Sequence, residues 1–479
     1  MSGIDRPAAG DRGIAAAGVH VPRPRLPTAA QREVWDAVRA PGIESVAIPA
    51  ADEDALTMAV AAAERALGAW DGDRADVASA TLATTTPPSA EVGLGGRLAL
   101  ALALDDGVAT AVLSTDLLAG ASALDRALDA SGPALVAVAD APVGDPGADG
   151  QRLGAGAAAF VVADDAAAPL VERAWKTESN PGVRHRPSGG DLTGLGVNRY
   201  ERGAVGTGVG RAFDRLDVAA DDLAGAALHQ PHAGAPYRLA RAIGLEPDVV
   251  ARGLVADRLG DAGAAGVPLG LCAALAAAGP GDLTLAGFAG SEGGGAAFVL
   301  AGGLAVAGLD ALDGGVEVAY PTALRLRGDL GDGSVSGGGA YVSLPSWQRS
   351  LPYRYRLVAG RCPSCGGLAF PPEGACPSCA ERVAFEPAEL SREGTVVAVT
   401  VIGEGGAPPE FADYQRRAGP FATGLVECGA PGGGTVRLPA MFTDVDPGAV
   451  EIGDPVRAVF RRLFVQEDVA RYGTKFVPA

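Results

Sequence analysis

One segment of the chain occurs twice. Gly154-Ala155-Gly156-Ala157-Ala158-Ala159-Phe160-Val161-Val162 is echoed by Gly293-Gly294-Gly295-Ala296-Ala297-Phe298-Val299-Leu300. Each copy reads as a glycine turn entering a buried strand, and each closes a stretch of similar length in which strand and helix patterns alternate. Duplication on this scale means that one α/β half has been copied and packed on itself. The expected fold class is therefore α/β, a layered and pseudo-symmetric domain over residues 1–305 with halves at about 13–165 and 170–303. In the first half Asp52-Glu53-Asp54 opens a helical run in which Leu56, Val60, Ala63 and Leu67 recur on one face, and the acids suit the positive end of the helix dipole. Segments 77–82 and 109–113 read as buried strands, and 117–128 as an apolar helix after the second.

A second constraint is local. Cys362-Pro363-Ser364-Cys365 and Cys376-Pro377-Ser378-Cys379 hold four of the six cysteines of the chain. Two Cys-x-x-Cys knuckles at this spacing bring four thiolates to one tetrahedral ion, the arrangement of a structural zinc ribbon, whereas unrelated pairs or disulfides would be the other reading. Four thiolates leave no open coordination position, so the expected zinc holds structure and performs no chemistry. Segment 346–360 reads as a short helix leading into the ribbon. Beyond it, 394–401, 422–427, 436–442 and 456–460 are short, β-rich and separated by turn signals, which fits a small barrel of the OB type. The expected order is the α/β domain, a connector at 306–345 with one or two strands around 316–326, a ribbon at 346–385 and an all-β barrel at 386–479.

Charge limits the partners. The 479-residue chain carries a net charge of −18, and Lys176 and Lys475 are its two lysines. An acidic, arginine-for-lysine surface stays hydrated in high salt, so a halophilic source is expected. From Ser346 onward 14 basic residues face 15 acidic ones, and neither that region nor the more acidic remainder offers the basic footprint of nucleic-acid binding. No run of eighteen apolar residues escapes interruption by a charge, Gly or Pro, and residues 1–12 lack a signal pattern, so a cytoplasmic protein without membrane spans is expected. Cys272 and Cys428 lie far apart, which agrees with a reducing compartment.

Several motifs carry a family resemblance. Leu228-His229-Gln230-Pro231, the run from Gly260-Asp261-Ala262-Gly263 to Pro268-Leu269-Gly270, Pro280-Gly281-Asp282 and the glycine-rich last strand resemble the thiolase superfamily, nearest to 3-hydroxy-3-methylglutaryl-CoA synthases and type III ketoacyl synthases. Arg361-Cys362, Phe370-Pro371-Pro372, Gly394-Thr395-Val396 and Asp444-Val445-Asp446-Pro447 resemble the rubredoxin-like zinc-ribbon plus OB-fold proteins that partner thiolases. The first resemblance implies a coenzyme A thioester as ligand, a role in acyl-CoA and lipid metabolism, and a homodimer. The second implies docking, with acyl-CoA or with a separate catalytic thiolase.

Such enzymes use a Cys nucleophile at a helix start, where the dipole lowers the thiol pKa, together with a His and an Asn. In Ser114-Thr115-Asp116-Leu117-Leu118-Ala119-Gly120 the Cys position falls on Leu117, which cannot form a thioester. The general-acid Glu of the synthases falls at Thr85, within Ala83-Thr84-Thr85-Thr86-Pro87-Pro88, and the Asn at Asp261. His229 alone is unchanged. Asp261 either pairs with His229 or caps a helix, and Ser114, Thr115 and Asp116 suit a cap. Arg184-His185-Arg186 meets CoA phosphates or lies in a solvated loop. Cys272 sits in an apolar helix and reads as a packed thiol. Two functions follow as expectations. One is non-covalent acyl-CoA binding in a docking or regulatory role; the other is an enzyme without a Cys nucleophile, a retro-aldol C–C lyase or acyltransferase, with His229 or Asp261 as base.

Overall fold

The computed structural model describes residues 12–180, 183–187, 190–194, 198–330, 343–466 and 469–479. Part of the expected connector, 331–342, lies outside them. The chain forms two compact units, Met1–Pro49 with Asp54–Arg327, and Ala50–Glu53 with Gly328–Ala479.

The first unit is organised on one sheet of ten strands among the described residues. In chain order they are β1 (Gly13–His20), β2 (Ser79–Ala83), β3 (Ala109–Leu113), β4 (Ala134–Asp140), β5 (Gly156–Ala163), β6 (Ala168–Lys176), β7 (Leu223–Leu228), β8 (Leu283–Ala289), β9 (Gly295–Ala301) and the short β10 (Val306–Ala307). Their lateral order is β3-β2-β4-β5-β1-β6-β9-β8-β7, with β10 paired to β1. The duplication is visible in the ladder. Strand β4 runs parallel to β2 and antiparallel to β5, as β8 runs parallel to β7 and antiparallel to β9. The repeated segments are β5 and β9, in equivalent places, and the halves join where Gly13 and Ile14 of β1 pair with Pro169 and Ala168 of β6. Every residue of β4, β5, β8 and β9 is buried, so these strands read as continuous apolar runs.

Helix α1 (Ala55–Gly68) packs on β1 and β5 and buries ten of its fourteen residues. It begins with a capping box: Thr57 N donates to Asp54 Oδ1 at 3.0 Å, and Asp54 N to Thr57 Oγ1 at 2.8 Å, a pairing that satisfies two otherwise orphaned amides. Helix α2 (Ala119–Leu128) starts two residues later than its apolar pattern suggests, because Asp116 caps the preceding turn through Leu118 N at 3.1 Å and Ala119 N at 3.0 Å. Strand β3 occupies its expected place yet is largely exposed, since it is the sheet edge and has a neighbour on one side only. Residues 316–326, where one or two strands were expected, give one two-residue strand and then a helix, Tyr320–Arg327.

In the second unit, helix Leu344–Arg356 leads into β11 (Val358–Arg361), β12 (Leu368–Ala369) and β13 (Glu386–Glu389), a small sheet in the order β12-β11-β13. The barrel strands follow: β14 (Glu393–Ile402), β15 (Phe421–Gly429), β16 (Thr435–Met441), β17 (Pro455–Gln466) and β18 (Val469–Pro478). They are antiparallel in the order β16-β15-β14-β17-β18, and a bridge from Phe442 to Phe476 nearly closes the ring. On β17 and β18, the face opposite the apolar core that includes Ala458 and Phe476 carries a buried charged cluster. Lys475 Nζ lies 2.8 Å from Asp52 Oδ2, and Arg461 contacts Glu53 at 3.2 Å and Asp444 at 2.7 Å, all of these groups almost wholly buried. Asp52 and Glu53, read from the sequence as helix-dipole acids, therefore serve as counter-ions to buried bases. No helix among the described residues is long and apolar enough to cross a membrane.

Candidate functional site

The strand ends of the second half carry the polar residues. His229 extends β7 by one residue, its N–H donating to Gly287 O of β8 at 2.9 Å. Its backbone is held by the next residue, whose role the sequence reading missed. Gln230 is buried and saturated: its amide donates to Gly253 O and Gly266 O, both at 3.1 Å, and accepts from Val255 N at 2.9 Å and Ala256 N at 3.0 Å. A side chain using both donors and its acceptor in this way is fixed in place, and fixes the turn after β7 with it.

Asp261 is also buried. Its Oδ1 accepts from Gly263 N at 3.1 Å, a local turn contact two residues on, since the N-cap of the short helix Gly263–Ala265 is Ala262, while Oδ2 lies 2.6 Å from Arg184 Nη1 and 3.9 Å from Arg152 Nε. Arg184, for which the sequence suggested a solvated loop or CoA phosphates, is an ion-pair partner with 13% of its side chain exposed. Arg152 completes the chain of charges through Asp149 at 2.7 Å. Burial opposes the charge on Asp261, but Arg184 and Arg152 outweigh it and hold the carboxyl below its usual range.

Burial pushes the His229 imidazole from 6.5 down to about 4, with Asp261 opposing and Arg184 reinforcing the change. His232 falls to about 4 as well, through burial and then Arg238, whose Nη2 lies 2.7 Å from His232 Nε2. Both rings are neutral at physiological pH, so the positive charge here belongs to arginines.

These groups border a cavity of about 1100 Å³ in the first unit, lined among others by Leu117, Arg152, Arg184, His229, Arg238 and Ser291. Leu117 N lies 3.3 Å from Ser291 Oγ, and Arg184 N donates to Ser291 O at 3.1 Å, so Leu117 and Arg184 flank one residue. Leu117 and His229 thus share one cavity. Thr85 is turned to a different task. The fully buried Asp140 accepts from Thr84 Oγ1 at 2.8 Å, Thr85 N at 2.6 Å, Thr85 Oγ1 at 2.7 Å, Thr86 N and Oγ1 at 3.1 Å, and Ala264 N at 2.7 Å. Gly263, at φ +57°, passes so close that a Cβ would meet Asp140 Oδ2 at 2.3 Å, and only glycine fits both demands. Cys272, in helix Gly266–Ala276, is buried, and burial drives its thiol well above the ordinary range.

In the second unit the sulfurs of Cys362, Cys365, Cys376 and Cys379 lie within 4.8 Å of one another. The separations Cys362–Cys379 and Cys365–Cys376 are 3.8 and 3.6 Å. Four sulfurs about 2.3 Å from a shared centre sit roughly 3.8 Å apart, whereas a disulfide would bring two to about 2.05 Å. The donor set fits a tetrahedral thiolate metal, and the distances do not fit disulfides.

A duplicated α/β sheet with a cavity at the strand ends, joined in one chain to a four-cysteine ribbon and an OB barrel, defines a thiolase-type protein with a fused ribbon and barrel. Comparison with known proteins agrees. Residues 349–386 match the family described as ChsH2, rubredoxin-like zinc ribbon domain, and residues 388–461 that described as ChsH2, C-terminal OB-fold domain. The chain is 30% identical over 307 residues to a hydroxymethylglutaryl-CoA synthase of Methanopyrus kandleri, an alignment covering 60% of this chain and 86% of that relative. Over 134 residues it is 33% identical to a DUF35 domain-containing scaffold protein of Methanothermobacter thermautotrophicus, covering 27% of this chain and 92% of that protein. The solved structure of MvaS in complex with 3-hydroxy-3-methylglutaryl coenzyme A superposes with a TM-score of 0.58 at 17% identity, covering 70% of this chain and 94% of that one, a likeness of fold. The chain belongs to the hydroxymethylglutaryl-CoA synthase family and carries the ribbon and barrel of the DUF35 scaffold proteins as well.

The neutral His229 has a consequence for stability. As pH falls, the unfolded chain takes up the proton near 6.5 and the folded chain near 4, so the contribution is complete above 6.5 and lost on descending to 4. A shift of this size corresponds to about 3 kcal/mol. Urea denaturation between pH 7.5 and 4.5 should show stability falling with acid in the wild type, and less steeply in His229→Gln.

Proposed function

We propose that the first unit binds a coenzyme A thioester in the Leu117–His229 cavity without forming an acyl-enzyme, and that the chain acts as a docking or regulatory subunit in acyl-CoA metabolism. The observation that carries this reading is Leu117 on the cavity wall, where the family resemblance places the nucleophile. No thiol is at hand to replace it: Cys272 is packed in a helix, Cys428 is buried in the barrel, and the other four belong to the ribbon cluster. Thr85, bound to Asp140, supplies no acid. In this reading His229 contributes a neutral hydrogen-bonding wall, and Asp261 acts by holding Arg184. A C–C lyase with either residue as base has less support, because a base near 4 is weak at neutral pH and Asp261 is committed to Arg184 and Gly263.

Intact-mass spectra after incubation with acetyl-CoA, acetoacetyl-CoA and longer thioesters should show the unmodified polypeptide. Leu117→Cys should gain a slow acyl adduct, since a thiol just before α2 meets the helix dipole beside His229. A stable acyl adduct on the unaltered chain would overturn the reading.

The ribbon, in the same proposal, holds one zinc through Cys362, Cys365, Cys376 and Cys379, and together with the barrel forms the docking module for a separate thiolase. A segment this small cannot stabilise itself by burial alone. Metal analysis should find one zinc per chain, and Cys376→Ser should lose it and loosen the ribbon while the first unit stays folded. A wild-type metal content near zero would remove the site.

We further propose a homodimer through the exposed edge strand β3, whose Ala109-Thr110-Ala111-Val112-Leu113 sequence is apolar for a surface strand and whose outer hydrogen-bonding edge faces away from the sheet. Light scattering at micromolar concentration should give twice the chain mass, and Val112→Lys should shift it toward the monomer. Acidic charge and arginine use leave nucleic acid outside the proposed partners.

A further inference from the structure

We infer that Cys365 is an oxidative modification site: a peroxide attacks its thiolate, Cys376 resolves the product as a disulfide, and the ribbon gives up its metal. The inference rests on the proposed zinc ribbon and goes beyond it, from holding structure to sensing an oxidant. Of the six cysteines Cys365 is the exposed one, Cys379 is partly buried and the other four are buried. Burial pushes the Cys272 and Cys428 thiols up, so neither offers a thiolate at neutral pH. A cysteine that holds a metal, by contrast, must be deprotonated to do so. Exposure and thiolate character, the two requirements for attack, therefore coincide at Cys365.

The two knuckles share a backbone and differ in what covers it. In the first, Cys362 N donates to Gly367 O and Gly366 N to Cys362 O, both at 2.8 Å; in the second, Cys376 N donates to Glu381 O at 2.8 Å and Ala380 N to Cys376 O at 2.9 Å. Gly366 and Ala380 take the same left-handed backbone, at φ +73° and +62°. The side chains part there: Gly366-Gly367 follows Cys365, whereas Ala380-Glu381 follows Cys379. A Cβ at Gly367 would lie 3.3 Å from Cys365 Sγ and 2.5 Å from Ser378 Oγ, so glycine leaves that side of the sulfur without a side chain. Arg361 adds positive charge to the first knuckle, its Nη1 donating to Gly366 O at 3.2 Å, while the second knuckle carries Glu381. An uncovered thiolate in an electropositive setting is the environment of a reactive cysteine.

The chemistry balances. The Cys365 thiolate attacks one peroxide oxygen, the O–O bond breaks, and hydroxide leaves a sulfenic acid on Cys365. Cys376, whose sulfur is 3.6 Å away across the knuckles, then attacks the Cys365 sulfur; the S–O bond breaks, a second hydroxide leaves, and the disulfide forms. Closing that separation to a disulfide needs a shift of about 1.5 Å. Two thiolates lose two electrons and the peroxide gains them. Zinc takes no part in the electron transfer and is released because two of its four ligands are gone. The effect reaches the barrel, since Arg361 Nη2 also donates to Pro431 O at 3.0 Å and Gly433 O at 3.1 Å and so ties the first knuckle to the turn between β15 and β16. Oxidation of Cys365 thus loosens the proposed docking module.

The test treats the full zinc-loaded chain with hydrogen peroxide at pH 7.5 in the presence of a chromogenic chelator. About one zinc per chain should be released, peptide mapping should find Cys365 joined to Cys376, and dithiothreitol with added zinc should reverse both changes. Cys365→His keeps a four-ligand tetrahedral set without the exposed thiolate, and should hold its zinc while releasing it about tenfold more slowly under peroxide. Sub-stoichiometric iodoacetamide on the loaded, unoxidised chain should label Cys365 before any other cysteine, which decides the point even where the histidine variant holds no metal. Zinc that stays bound under peroxide, equally fast release from Cys365→His, a disulfide that omits either cysteine, or first labelling elsewhere overturns the inference and leaves the zinc site standing. A purified chain without zinc overturns the ribbon reading and this inference together.

Discussion

The first unit depends on a carboxylate that never meets water. Asp140 closes β4 and gathers six donors, five from residues 84–86 of the first half and one from Ala264 of the second. Burying a charge in a sheet made of alanine and valine is unfavourable unless every lone pair is used, and here they are. Each backbone N–H left without this acceptor would cost about 1–3 kcal/mol. The same contact sets the turn at Gly263, and that turn presents Asp261 to Arg184. The Thr85 hydroxyl and amide are therefore part of the scaffold that positions the cavity wall.

Much of this was legible in the residues. The repeat beginning at Gly154 and Gly293 predicted equivalent strands, and β5 and β9 occupy matching places, each antiparallel to the last parallel strand of its half. The four cysteines announced their cluster, since Cys-x-x-Cys spacing fixes local geometry. What periodicity could not show was lateral order. Residues 109–113 have the apolar pattern of an interior strand, and only the assembled sheet puts them at the edge. Strand β18 was also missed; its Arg471 and Lys475 interrupt the alternation, and the fold justifies them by setting Arg471 over the Trp347 ring and Lys475 against the buried Asp52.

The cavity shows the same limit for electrostatics. His229 was visible from its motif, and Asp261 from the position it takes. Arg184 and Gln230 were not, because their importance lies in partners dozens of residues away: Arg184 in Asp261, Gln230 in the backbone of Gly253 and Gly266. A run such as Arg184-His185-Arg186 looks solvated until the fold supplies a buried counter-ion. What the fold assembles on the cavity wall is guanidinium charge beside a neutral imidazole and an apolar Leu117. In the proposed function such a wall holds a ligand and does not attack it.

The near-absence of lysine reaches further than solubility. Of the two lysines, Lys475 is fully buried against Asp52 with its ammonium 3.7 Å from the Tyr414 ring, while Lys176, at the end of β6, keeps 20% of its side chain exposed beside Glu178. Acetylation, ubiquitin attachment and amine-directed cross-linking all require a reachable ammonium. Among the lysines of this protein they converge on Lys176, so any control exerted through lysine modification would be addressed to the last residue of the strand that precedes Arg184.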